Sequence, residues 1–388
     1  MTSASISYLL SFKAFSRFLV LMPVLIPFLE DRGLSLAQVF SLTGVYSISC
    51  AIFELPTGLI ADKWGKKRSL LIGASLFLLA QIGYLRFDQY WLLFMVNVFL
   101  GIAASFFSGT DSALLHHYLK GQNRLSEFNK FEGRLYAVST YSEAVAGLLA
   151  GVLASIALYF NSLAQIVAAS IALILLFFLP KDHSTNSSKK EHVSLIKSSK
   201  DCLKNNKGLQ YFLLLSCLLG TATLALTWFS QAYLKLLSIP LFWYGIAWTS
   251  LNALVGFGAN FSYRLEQRFS LLKMSLLAAF FIAASHVFMG LSSSIWMLVI
   301  IAMAFLLRGI ATPALRTLIH QEIPDQIRTA FFSFRSLLIR ALYGLAAIGI
   351  SALTQAYNLR VSLIIFGCSL FLVLLLLNYY YLQQQKKG

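Results

Sequence analysis

The sequence predicts an all-α membrane protein of twelve spans, arranged as two six-helix bundles with both termini cytoplasmic. Three observations carry that expectation. Of 388 residues, 58% are hydrophobic and 12% are charged, against roughly 45–50% and about 25% in a soluble protein. A soluble fold of this size has too little interior to hide so much apolar surface, which excludes a cytosolic enzyme, a secreted disulfide scaffold and a disordered chain. The apolar residues also fall into continuous runs of about 20 residues or more, the length a bilayer-crossing helix needs, without the alternation of barrel strands about 10 residues long. Finally, the basic residues gather in every second interval between those runs.

The twelve runs lie near 6–29, 36–60, 69–86, 91–117, 133–157, 160–180, 208–235, 239–262, 271–290, 294–320, 329–354 and 360–382. Met1–Ser7 carries no basic cluster and no small-residue cleavage site follows, so the first run reads as a membrane helix and not a signal peptide. Cys50, Cys202, Cys217 and Cys368 show no metal spacing and read as packing residues or incidental thiols. Trp91, Trp243, Trp296 and Tyr379–Tyr381 suit interfacial anchors.

The net charge of +16 resembles a nucleic-acid signature until the charges are placed. About 21 of the 31 basic residues fall on the side of the termini, where the positive-inside rule puts cytoplasmic loops. The charge is therefore topology, and no nucleic-acid partner is implied. The longest polar stretch, 181–207, contains HSTNSSKKEH and reads as a solvated linker. It separates an N-terminal bundle (1–180) from a C-terminal one (208–388). The turns Thr57–Gly73 and Gly258–Ser275 echo one another faintly, in keeping with an internal repeat.

The segment Glu54-Leu-Pro56-Thr57-Gly58, continuing through Asp62 and Gly65 to Lys66-Lys67-Arg68, resembles the G-x-L-A-D-R-x-G-R-R/K signature of the major facilitator superfamily. The likeness extends to twelve spans, a six-plus-six split and a basic middle loop. It implies alternating access, with helices 1, 4, 7 and 10 around a central cavity and the Asp62 turn acting as a cytoplasmic gate against the start of the eleventh helix. Gly58 is expected to permit close helix approach and Gly65 a tight turn. The plainer reading of Asp62 is an N-capping residue in a positive-inside turn.

Charges at bilayer depth cost several kcal/mol and mark function or pairing. Nine fall within the spans: Lys13, Arg17, Glu54, Asp111, Glu143, Arg308, Arg316, Arg335 and Arg340. Lys13 and Arg17 share a helix face at i, i+4 spacing. With Arg308 they point to an anion site, since guanidinium forks match carboxylate and phosphate groups. Alternatively, Lys13 snorkels to the surface and Arg17 pairs with a neighbouring acid. Asp111 and Glu143 suit proton coupling, because a carboxyl group beside a cation can alternate between protonated and paired states; the alternative is a permanent salt bridge. Glu54 belongs to the gate segment. Arg316 and Arg340 resemble basic positions that pair across domains. Trp228 is the one aromatic residue placed as a cavity wall, and His286 reads as a packed residue on an outer helix.

The expected function is secondary transport of a small organic anion, such as a carboxylate metabolite, a siderophore or a phosphorylated compound, across a bacterial inner membrane. A coupling proton, the bilayer and a monomeric state complete the expected partners, with no cofactor and no metal. Proton-driven efflux of amphipathic compounds is the alternative. The fifth helix has Gly147-Leu-Leu-Ala-Gly151, a small-xxx-small pattern, where many drug exporters of the superfamily carry a Gly-Pro pattern. A non-transporting receptor is the minor alternative. There is no H-x-x-H, C-x-x-C or phosphate-cradling glycine loop for an enzyme or an ATP-driven pump.

Overall fold

The computed structural model describes residues 3–180, 182, 202–204, 206–324 and 327–387. The described residues are helical, without strands, and ten of their helices are long and apolar enough to cross a membrane. The chain divides into two compact units, Met1–Ser187 with Ile239–Thr249, and Ser188–Ser238 with Ser250–Gly388. Most of the 181–207 linker, including HSTNSSKKEH, lies outside the described residues.

The first unit begins with a departure from the expected continuous span. The run near 6–29 is broken into α1 (Ser3–Ser16), a 3-10 turn (Met22–Val24) and α2 (Leu25–Asp31). Pro23 and Pro27 explain the break, since each lacks an N–H and its ring clashes with the preceding turn. Arg17 is the first residue past α1, and its N–H still reaches the Lys13 carbonyl at 3.2 Å. The helices α3 (Leu36–Trp64), α4 (Lys66–Arg86), α5 (Tyr90–Phe107), α6 (Thr110–Gly121), α7 (Phe128–Ile156) and α8 (Leu158–Phe177) complete this unit's long elements.

The groups freed by the break find partners on α8. Gln165 Oε1 accepts from the Leu21 N–H at 3.3 Å, and Asn161 Nδ2 donates to the Val20 carbonyl at 3.3 Å. Both side chains are fully buried, where a polar group needs a partner inside the protein. The fourth run is also interrupted. Gly109 takes φ +70°, a left-handed conformation cheap only for glycine, so α6 starts afresh and Asp111 lies in its first turn.

Leu9 and Phe12 of α1 join Leu70, Leu114, Leu115, Tyr118 and Leu176 in one buried cluster, which holds α1 against α4, α6 and α8. On α7, Gly147 and Gly151 pack backbone to backbone against Gly245, and Thr249 Oγ1 donates to the Ala144 carbonyl at 3.1 Å. This small-xxx-small contact explains why Ile239–Thr249 groups with the first unit.

The second unit comprises α9 (Lys207–Leu236), α10 (Phe242–Glu266) beyond its first turns, α11 (Leu271–Leu291), α12 (Met297–Glu322), α13 (Arg328–Ala356) and α14 (Leu359–Lys387). Asn206 caps α9 through the Leu209 N–H at 2.9 Å. The helix α9 is the most buried of the candidate spans and packs against α12 and α13. His286 is fully buried edge-on to Phe229 and Phe366, with Nδ1 at 2.7 Å from the Ile282 carbonyl.

The helices α3 and α5 also pack closely in the first unit. A Cβ at Gly101 would stand 2.5 Å from Ser49 Cβ and 2.7 Å from the Tyr46 carbonyl oxygen. Gly101→Val is therefore expected to destabilise the protein by about 1–3 kcal/mol through overpacking. Thermal unfolding in detergent measures it; an unchanged midpoint would show that this contact tolerates separation.

Candidate functional site

In the first unit every intramembrane cation meets a carboxylate. Lys13 Nζ pairs with Asp111 Oδ2, and Arg17 Nη2 with Glu143 Oε1. Arg17 lies one turn beyond Lys13, just past the end of α1, and the partners of the two cations stand on different helices, α6 and α7. The second carboxylate oxygen of Asp111 accepts from the Ser112 N–H at 2.9 Å. The Ser112 hydroxyl in turn donates to Glu132 at 2.9 Å. The Lys13 and Asp111 side chains are only 24% and 11% exposed, whereas Arg17 keeps 47% of its side chain open. The first pair is thus enclosed, and the second leaves a guanidinium face accessible.

The motif turn is built differently from the expectation. Asp62 lies in the last turn of α3, so the N-capping reading of it is corrected. A Cβ on Gly58 would meet nothing within 4 Å, so among the described residues no close approach depends on that glycine. Gly65 separates α3 from α4 with φ +91°, which only glycine adopts without strain. The carboxylate at the N-terminus of α4 is Asp182, whose oxygens accept from the Lys66 and Lys67 N–H groups, at 2.5 and 3.1 Å. Lys67 Nζ donates to the Phe177 carbonyl at 3.1 Å and also to the Leu179 carbonyl, a cation against the carbonyls at a helix end. Tyr118 donates to the Pro180 carbonyl at 3.0 Å. Glu54 Oε1 accepts from the Ser108 hydroxyl at 3.2 Å, tying α3 to the break before α6. Arg68 is exposed.

The second unit has the opposite charge pattern. Arg308, Arg316 and Arg335 have no carboxylate partner among the described residues. The sequence explains this, because the acids of 208–388 are Glu266, Glu322 and Asp325: Glu266 and Glu322 are the last residues of α10 and α12, and Asp325 lies outside the described residues. Arg308 is partly buried, its guanidinium 5.8 Å from the Phe305 ring centroid. Its neighbours anchor α12 to α10: Gly309 packs on the Val255 backbone, and the Ile310 carbonyl accepts from Ser262 Oγ at 3.0 Å. Arg316 lies 5.7 Å from the Phe332 ring, and Arg335 Nε donates to Ser216 Oγ. Arg340 lies on α13 and is in contact with its surroundings. Trp228 is 8% exposed within this unit, which leaves little ring surface for a solute.

Sequence reasoning missed Asp182, which it placed in the linker, and the supporting roles of Ser108, Ser112 and Glu132. A helix start at Lys66 without a capping residue of its own was the available signal, since its first N–H groups need an acceptor from somewhere. Asp182→Ala is expected to cost about 1 kcal/mol, as loss of a helix cap does, read as a lower unfolding midpoint; Asp182→Asn is expected to recover part of it.

With this geometry in hand, known proteins place the chain. The Major Facilitator Superfamily model matches residues 5–348. An uncharacterized transporter of Buchnera aphidicola is 30% identical over 104 residues, 27% of this chain and 26% of that one. An uncharacterized MFS-type transporter of Methanocaldococcus jannaschii is 27% identical over 148 residues, 38% of this chain and 36% of that one. The matches thus span about a third or less of those relatives. Among solved structures, the nucleoside transporter NupG has TM-score 0.76 at 15% identity, covering 98% of this chain and 99% of that one. A D-xylose-proton symporter has TM-score 0.69 at 15% identity, covering 96% and 95%. A POT family transporter in complex with a thioalcohol-conjugated peptide has TM-score 0.74 at 12% identity, covering 98% and 96%. These likenesses give the fold. A multi-pass helical membrane protein with this motif, this fold and this family match belongs to the major facilitator superfamily of transporters.

Proposed function

We propose that this protein is a proton-coupled secondary transporter of a small organic anion, working by alternating access in a prokaryotic cytoplasmic membrane. The reading includes twelve crossings, cytoplasmic termini and a monomer. The basic loops support the orientation, and the solved transporters of this fold support the mechanism. The observation that carries the substrate class is the charge asymmetry. The first unit neutralises Lys13 and Arg17 internally, while the second leaves Arg308 partly buried with no described carboxylate.

A lone guanidinium at bilayer depth is costly. A carboxylate or phosphate group on the solute supplies the missing partner through charge-assisted hydrogen bonds. Purely cationic compounds are disfavoured by the same charge. Arg17 is the second contact in this reading, because its exposed face reaches a solute while Glu143 holds the other side.

Protonation of Asp111 or Glu143 removes a negative charge from its pair and releases Lys13 or Arg17. A ligand or proton shifts a conformational equilibrium only as far as it favours one state, and an ion pair that opens on protonation provides such a preference. The segment Gly58–Arg68, held at the α4 end by Asp182, is the gate in this reading.

Two outcomes test it in proteoliposomes. Arg308→Gln should raise the KM for an anionic solute by about tenfold or more, the size of a lost charged hydrogen bond. Transport restricted to neutral or cationic solutes, and indifferent to the change, would sink the anion assignment. Asp111→Asn and Glu143→Gln should each leave solute exchange intact but abolish uptake driven by a proton gradient. Full gradient-driven accumulation in both would remove the coupling role.

A further inference from the structure

Arg316 and Arg335 form a second basic cluster that the Arg308 reading does not use. They come from different helices, α12 and α13, and meet around Phe332. The Arg316 guanidinium lies 5.7 Å from that ring, and the His320 ring lies 4.6 Å from it. Arg335 is three residues beyond Phe332 on the same helix, hence on the same face. Arg335 is held from α9 by the buried Ser216 hydroxyl, whereas Arg316 is exposed.

Two guanidinium groups facing one ring repel, and the nearest described acid has another partner. Glu322 is engaged by Asn206 Nδ2 at 2.7 Å. Neither arginine has a described carboxylate partner. Arg316 is six residues before the end of α12 and Arg335 seven after the start of α13, so both lie roughly 10 Å in from the same end of the unit, at 1.5 Å per residue.

We propose that Arg316 and Arg335, with Ser216 positioning Arg335 and His320 alongside, form a second anion site for a dianionic group, a phosphomonoester or a dicarboxylate on a soluble solute. Two planar forks from two helices match two negative charges or a tetrahedral phosphate. One negative charge would leave the cluster still net positive. The site stands apart from Arg308, about two turns nearer the α12–α13 end.

The experiment uses the purified full-length protein in neutral detergent. Inorganic sulfate, a fixed dianion, and inorganic phosphate should raise the unfolding midpoint saturably, since a ligand for the folded state stabilises it. Chloride at matched ionic strength should not. Arg316→Gln and Arg335→Gln should each weaken the apparent sulfate affinity about tenfold or more. Ser216→Ala, which keeps both charges, should weaken it less while remaining folded. Arg308→Gln should keep the sulfate effect even as anion uptake falls, so the two assignments fail separately. No saturable shift, or an equal shift in the Arg316→Gln/Arg335→Gln double variant, overturns the site. An arginine-dependent shift given by phosphatidylglycerol and not by sulfate or phosphate assigns the cluster to a lipid headgroup and overturns the soluble-solute proposal.

Discussion

Away from water, a polar group is tolerable only with a partner inside the protein, and the described structure is organised around that demand. The sharpest case is the interruption after Ser16. Two prolines deny the first run a continuous helix, and the backbone groups released there would each be expensive if left alone. Asn161 and Gln165 of α8 reach the freed groups of Val20 and Leu21. A polar stripe on one helix thus pays for the break in another. The same break leaves Arg17 at the frayed end of α1, half exposed and joined to Glu143.

Charge follows the same logic with two different solutions. In the first unit each intramembrane cation has an acid from a neighbouring helix, so its charge is balanced within the fold. Such pairs are weak evidence of stability, because desolvation offsets much of their attraction. In the second unit the described acids, Glu266 and Glu322, stand at the ends of helices, and Arg308, Arg316 and Arg335 rest against aromatic rings and a serine hydroxyl. An aromatic face offsets part of a cation's desolvation but leaves the charge unneutralised. Among the described residues, one unit therefore matches its intramembrane cations with acids, while the other leaves Arg308, Arg316 and Arg335 without a carboxylate.

The motif turn connects these helices to the middle of the chain. Asp182 and Lys67 fasten the end of α8 to the start of α4 from opposite directions, a carboxylate on amide N–H groups and an ammonium on carbonyls. Both contacts agree in sign with the helix dipoles.

Composition, run length and loop charge were enough to read the helical membrane class and the family motif, because hydrophobic length and positive-inside asymmetry are local properties of a chain. Glycine at 65 was legible for the same reason, since a positive φ is a demand of the backbone itself. Pairing was not legible. Lys13 and Asp111 are 98 residues apart, and nothing in the spacing says that α6 and not α7 receives that ammonium. Asp182 looked like part of a solvated linker until folding placed it on the α4 N-terminus. The sequence by itself determined that this is a membrane transporter with more basic than acidic groups in its helices. Tertiary structure decided which of those charges have a carboxylate partner among the described residues, because neutralisation depends on distances between helices that sequence order does not encode.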